Sequence, residues 1–235
     1  MQFDQNLGII DQKTFDDIQS KHVLIVGLGG LGGHLAHTLV RFGFLKLTLV
    51  DYDTFELSNL NRQLFSTHQN LGQNKVDVIK DELLKINPKV VIQTFSKRIQ
   101  ELNLHEINDV YVIVDATDHI QTKKDLESIA SKLNVLLCHG AIGGWYGQFG
   151  MIEPHSNIIG KLYGNETQGL EKILKSPTFT PAIIANLMAL EIVKSLSGLP
   201  YLKNKIMQVD LLNHHYEIVL QKKEKKWLKS DFLIC

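Results

Sequence analysis

Cysteine is almost missing from this chain: its 235 residues hold two, Cys138 and Cys235. Two thiols cannot supply the paired Cys-x-x-Cys ligands of a four-cysteine zinc site, so no structural zinc is expected. Cys138 lies in the apolar run Val135-Leu136-Leu137-Cys138 and reads as a small buried hydrophobe, while Cys235 is the last residue. Scarce cysteine and no secretory leader lead to the expectation of a reducing, cytoplasmic setting. An excess of either charge is missing too: 25 basic residues balance 25 acidic ones, which argues against a nucleic-acid partner. No apolar stretch is expected to span a membrane, since even Pro181 to Leu196 carries Asn186, Glu191 and Lys194. Arginine is scarce as well, with Arg41, Arg62 and Arg98 the only three and none between Met1 and Ser20. Repeats and low-complexity linkers are absent, and the length suits one α/β domain with a substantial core.

What the chain does have is a glycine-rich turn in the right surroundings. The apolar run Val23-Leu24-Ile25-Val26 leads into Gly27-Leu28-Gly29-Gly30-Leu31-Gly32-Gly33 and then an apolar-periodic stretch from Leu35 to Phe42. This reads as strand, tight turn and helix, with Gly27, Gly29, Gly30 and Gly32 as candidate nucleotide-binding positions. Glycine suits a sharp turn, close approach of a phosphate to bare backbone, and tight packing of helix on strand. The helix N-terminus adds unpaired N–H groups for an anion. A second strand, Leu47 to Val50, ends in Asp51, at the distance where such folds place an acid on the ribose hydroxyls.

A hydride-transfer enzyme needs nothing special after that acid, yet here a basic and amide cluster follows: Asn59, Arg62, Gln63 and Lys75. Arg62 can fork onto phosphate oxygens, Lys75 is a compact point charge at the start of a helical pattern, and Asn59 carries an amide donor. Taken singly, Asp51 and Asp118 also suit turn caps, Arg62 a loop salt bridge, Lys75 a solvated helix start, and Asn61 and Gln63 braces for the loop.

Alternating strands near Val23, Leu47, Val90, Val110 and Val135, with helical patterns from Leu31, Lys75 and Gln121, predict a mostly parallel sheet with helices on both faces. The expected organisation is one domain over 1–235. It comprises a helical arm (1–20), a nucleotide-binding core (21–153), and a crossover, a buried or dimer-forming helix and antiparallel edge strands (154–235). The helix from Pro181 is predicted to take Thr180 as its cap and to stop at Gly198. Its apolar residues cover more than one face, which fits either an internal core helix or a homodimer interface. Gly143 to Gly150 is a turn into a strand, with Trp145 and Tyr146 as candidate walls for a partner's tail or plain core aromatics. The lysines 222, 223, 225, 226 and 229 form a basic run that suits a solvated edge or an acidic partner.

The spacing of Gly27–Gly33, Asp51-Tyr52-Asp53, Ser58-Asn59-Leu60-Asn61-Arg62-Gln63, Gly72-Gln73-Asn74-Lys75 and Asp115-Ala116-Thr117-Asp118 resembles the ThiF/MoeB/HesA family of ubiquitin-like-protein activating enzymes, over nearly the whole chain. The resemblance implies a Rossmann-like fold, ATP and Mg²⁺, and adenylation of the C-terminal glycine of a small ThiS- or MoaD-like β-grasp carrier ending in Gly-Gly, for sulfur transfer in cofactor biosynthesis. It implies a homodimer. It also implies roles: Asp51 on the ribose, Asn59, Arg62 and Lys75 on the triphosphate, and Asp118 beside the metal and α-phosphate. The sequence departs from the family in three places. The N-terminal arginine that reaches a partner's ATP is missing, with Lys13 the nearest cation. Asp118 is followed by His119, with Lys123 at the next basic position. The crossover from Ile158 to Pro181 has no cysteine for a thioester. A nucleotide- and carrier-binding scaffold without catalysis, and an NAD-dependent oxidoreductase, are the alternatives.

Overall fold

The structure is a computed structural model and describes residues 3–166 and 174–220; the lysine run at 222–229 and Cys235 lie outside the described residues. A short 3-10 turn at Asp4–Asn6 precedes α1 (Gln12–Ser20), whose cap Asp11 accepts from the Thr14 N–H at 2.7 Å. Then come β1 (His22–Val26), α2 (Gly30–Phe42), β2 (Lys46–Val50), α3 (Lys75–Ile86), β3 (Val91–Phe95), β4 (Val112–Asp115) and α4 (Ile120–Leu133). They are followed by β5 (Leu136–Gly143), β6 (Tyr146–Ile152), α5 (Ile158–Tyr163), α6 (Phe179–Leu196), β7 (Lys205–Asp210) and β8 (His215–Leu220).

The eight strands form one sheet in the order β3-β2-β1-β4-β5-β6-β7-β8. Pairings from β3 through β5 are parallel and those from β5 through β8 antiparallel, so the expected α/β sheet, mostly parallel with antiparallel edge strands, is present. The unbroken apolar character of β1 follows from cover on both faces. Val23 and Ile25 join a core cluster with α1, α2, α3 and α6, while Leu24 and Val26 join a second with α4, α5 and the segment around Ile99–Val110. Period-two alternation therefore divides one hydrophobic run between two layers.

Three sequence expectations shift. The fourth strand begins at Val112 rather than Val110. Helix α6 begins at Phe179, so Thr180 is not its cap: the Thr180 hydroxyl instead donates to the Gly144 carbonyl at 2.7 Å. Pro181 still falls in the first turn, where its missing N–H is no loss. Gly198, at φ +65°, follows the Ser197 C-cap as expected. Finally, the upstream start makes α6 an 18-residue helix long and apolar enough by length and composition to cross a membrane, which corrects the expectation that no stretch would be. Half of it is buried inside this domain, against α2, β5 and β6.

Helix α5 is held from outside by α4. Like any helix it leaves backbone donors unpaired at its start, and the buried Glu127 carboxylate takes two of them, Ile159 N–H at 2.9 Å and Gly160 N–H at 3.0 Å. Lys124 caps the other end through the Gly164 carbonyl at 2.7 Å. Replacing Glu127 by alanine is expected to lower stability in urea by about 1–3 kcal/mol, the cost of stranding buried donors, with Glu127→Gln losing less.

Candidate active site

The strand order reverses at β1, from which the chain first builds outward to β2 and β3 on one side and then to β4 and β5 on the other, and ligands of such sheets bind in the crevice beyond the strand ends there. A cleft of about 300 Å³ opens at that point. Its lining includes Gly27, Gly29, Gly30, Asp51, Asn59, Arg62, Gln63, Lys75 and Asp118. Gly32 is absent from that lining and has a packing role. A Cβ there would lie 1.8 Å from the Gly27 carbonyl oxygen, so only glycine lets α2 start this close to β1. Gly27, at φ +87°, is pressed equally hard against the opposite turn, where a Cβ would come 2.6 Å from the Ala116 oxygen.

Asp51 directly follows β2 with its carboxylate fixed: Oδ2 accepts from Leu28 N–H at 2.6 Å and Oδ1 from Asp53 N–H at 2.8 Å. Burial nevertheless raises its pKa above the ordinary carboxylate value, against the lowering pull of Lys75 and the two N–H groups. Buried Lys75 pairs with the half-exposed Asp53 at 3.0 Å. A solvated helix start does not describe it. The loop between them is braced by Asn59, whose Oδ1 accepts from Glu56 N–H at 3.0 Å, so much of this amide's capacity goes into the loop itself. Arg62 donates through Nη1 to the Ser58 carbonyl and to Asn61 Oδ1, both at 2.9 Å, which uses one of its three guanidinium nitrogens. Gln63 is buried with Oε1 unpartnered, a polar atom that a ligand in the cleft, or water bound to one, would satisfy.

Asp118 stands on the opposite wall, in the turn after β4. Its side chain is 65 % exposed and lies 3.8 Å from His119 Nε2. Behind that turn lies a cluster that the sequence reading did not assemble. Asp115 and Lys123 are fully buried and paired at 3.2 Å, and His139 Nδ1 lies 2.7 Å from Asp115 Oδ2. The neutral imidazole carries its proton on Nδ1 and donates to Asp115, while Nε2 accepts from Gln148 Nε2 at 3.1 Å. Burial would raise the Asp115 pKa, but Lys123 and the His139 hydrogen bond outweigh it and hold the carboxyl at about 2. The Asp-x-x-Asp spacing and a lysine five positions further on were visible in the sequence; His139 and Gln148, from β5 and β6, carried no local signal. Lys97 and Arg98 also line the cleft, Arg98 lying 3.9 Å over the Tyr52 ring, and were likewise not singled out. Cys138 is fully buried and its thiol is pushed up by burial, so it does not serve as a nucleophile.

Residues 3–229 match the ThiF family. The chain belongs to the ThiF family. It is 32% identical over 188 residues to the molybdopterin-synthase adenylyltransferase of Escherichia coli K12, covering 77% of this chain and 75% of the relative. To the Haemophilus influenzae enzyme of the same name it is 31% identical over 193 residues, covering 80% and 79%. The SUMO-activating enzyme subunit 2 of Dictyostelium discoideum is 30% identical over 145 residues, which is 61% of this chain but 22% of that protein. Among solved structures, E. coli MccB with ATP has a TM-score of 0.73 at 22% identity, covering 91% of this chain and 67% of MccB. PaaA has 0.74 at 22%, covering 88% and 66%. At that identity these structures speak for the fold alone. This ThiF-family chain is a nucleotide-binding adenylyltransferase, and the oxidoreductase alternative falls away.

His22, His34, His37 and His139 all have pKa values lowered chiefly by burial from 6.5. The unfolded chain therefore binds more protons below that value, and the stabilising contribution is present above about pH 6.5 and lost as the pH falls. Asp115 adds a second loss between its unfolded value of 3.8 and about 2. Urea midpoints of this protein are expected to drop steadily from pH 7.5 to 5, and a flat profile over that range would contradict the buried neutral histidines.

Proposed function

We propose that the chain uses ATP to adenylate the C-terminal glycine carboxylate of a small ThiS- or MoaD-like β-grasp carrier ending in Gly-Gly, releasing pyrophosphate, for sulfur transfer in cofactor biosynthesis. The observation that carries this is the convergence of Arg62 and Lys75 on one cleft wall with Asp118 on the other, around a glycine turn at a helix N-terminus. The 31–32% identity to molybdopterin-synthase adenylyltransferases over three quarters of their length supports it.

In the reaction a carrier carboxylate oxygen attacks the α-phosphorus, the bond from that phosphorus to the oxygen bridging to the β-phosphate breaks, and pyrophosphate leaves. Two anions must approach, so the protein's task is neutralisation and alignment. Arg62 takes phosphate oxygens through the guanidinium nitrogens not tied to the loop. Lys75 exchanges its contact with Asp53 for the triphosphate, the N–H groups at the start of α2 face the same anion, and Asp51 holds the ribose. The site fits Mg²⁺: Asp118 offers one exposed carboxylate oxygen donor set beside the place of the phosphates, the usual protein share for this ion. Bound there, the ion supplies charge neutralisation at the phosphate oxygens. No protein nucleophile is needed.

In this reading the carrier tail passes beside the Gly143–Gly150 segment. Asn61 Nδ2 donates to the Ser176 carbonyl at 3.0 Å, Gly144 N–H to the Lys175 carbonyl at 2.8 Å, and Thr178 to the Asn61 carbonyl, so the Arg62 loop, the crossover and the β5–β6 turn are tied together. Trp145 and Phe179, both partly exposed with ring centroids 4.7 Å apart, form an apolar wall beside them. Homodimerisation through the outward stripe of α6 (Phe179, Ile183, Leu190) belongs to the same proposal.

The test is ATP–pyrophosphate exchange with a panel of diglycine-tailed carriers. Exchange in the wild type is expected to fall on the order of 10²–10³-fold in Arg62→Ala, Lys75→Ala and Asp118→Ala, the scale of losing one preorganised charge contact. Carrier and ATP binding without any exchange would favour the scaffold alternative raised by the missing N-terminal arginine.

A further inference from the structure

We infer that Lys123 is a positioning residue for adenylation: its buried ammonium holds the turn that carries Asp118 by the Thr117 carbonyl, and so sets where that carboxylate stands in the cleft. The inference rests on the function proposed above for its kinetic consequence, and on geometry alone for its structural one.

Asp118 is too exposed to be placed by its own contacts, with 65 % of its side chain open and its ion-pair neighbour at 3.8 Å. Its position is inherited from the backbone before it. That backbone is held at several points: Ala116 N–H donates to the Val26 carbonyl at 3.0 Å, and Thr117 donates through N–H and Oγ1 to Asp115 Oδ1 at 3.2 and 2.8 Å. Lys123 Nζ adds the Thr117 carbonyl at 2.7 Å, the Gly140 carbonyl on β5 at 3.0 Å, and both Asp115 oxygens at 3.2 and 3.3 Å. One ammonium thereby ties the Asp118 turn to the next strand of the sheet.

A buried ion pair is weak as a source of stability, because an apolar pair of similar volume holds a core about as well. No apolar residue can donate to the Thr117 carbonyl. The part of this pair that a hydrophobic replacement cannot reproduce is the hold on the turn, and the turn forms a wall of the cleft.

The experiment compares wild type, Lys123→Met and the double variant Asp115→Asn/Lys123→Met. The single variant leaves a buried carboxylate unpaired and will lose stability for that reason alone. The double variant removes both charges and keeps an acceptor for Thr117 at position 115 while losing the acceptor for His139 Nδ1–H, so its urea transition is measured alongside to separate positioning from folding. In the double variant the expected results are a cooperative urea transition, kcat for ATP–pyrophosphate exchange down on the order of 10²-fold from misplacement, and a nearly unchanged KM for ATP because Arg62 and Lys75 are intact. Amide hydrogen exchange across Ala116–His119 should also accelerate while protection in β1 and β2 is retained. Wild-type kcat and wild-type protection in the double variant, or a KM defect with kcat intact, would overturn the inference. If the double variant does not fold, Lys123→Arg is measured in the same way; it keeps the donor, and wild-type-like kcat with restored protection of the turn is then required. If wild type itself exchanges no pyrophosphate, the proposed function fails, and amide exchange alone decides whether Lys123 holds the turn.

Discussion

Two backbone turns meet at the head of β1 and β4 with no side chain between them. The positive-φ Gly27 faces the Ala116 carbonyl so closely that a single added carbon would come within 2.6 Å of it, and Gly32 presses on Gly27 from the helix side. From this contact the remaining geometry follows. The start of α2 sits over the crevice, Asp51 reaches back to the Leu28 N–H, and the Asp118 turn is brought opposite the loop that carries Arg62. Substituting a larger residue at either glycine would therefore disturb both walls of the cleft together.

Charge is arranged around this contact in two tiers. In the cleft, Lys75 is buried yet paired with a half-exposed carboxylate, and Asp51 is kept ionisable at a cost that its raised pKa records. Buried charged groups of this kind, lining a cleft, are the usual mark of a binding site. Behind the wall, Asp115, Lys123, His139, Gln148 and Tyr163 form a buried network with a neutral imidazole, one anion and one cation. It contributes no net charge to the cleft and holds the turn in one geometry, where a loose apolar core would leave the carbonyl of Thr117 without a partner.

Much of the site was legible because its parts are local. The glycine run, Asp51 at a strand end, and the short intervals from Asn59 through Lys75 each follow from rules that act over a few residues, and the fold brings these residues to one cleft. What was not legible depends on contacts between distant segments. Asp53 matters because Lys75, 22 residues later, folds back onto it. Thr180 has the right residue type for a cap, but the β5–β6 turn claims its hydroxyl, and the helix starts earlier. Asn59 offers an amide donor suited to phosphate, and its carbonyl has a second task, accepting from the Glu56 N–H to brace the loop.

The order of apolar and polar residues by itself determined the alternation of strands and helices, the glycine turn and the identity of the charged groups near it. Those features arise from steric and hydrogen-bonding preferences that each short segment carries. Only the tertiary structure decided which β1 residues face which layer, that α6 is an internal helix of this domain along half its surface, and that Lys123 pairs with Asp115 beneath the cleft instead of meeting solvent. Those outcomes turn on burial and on which distant donor reaches an acceptor first, and neither is encoded in any one stretch of the chain.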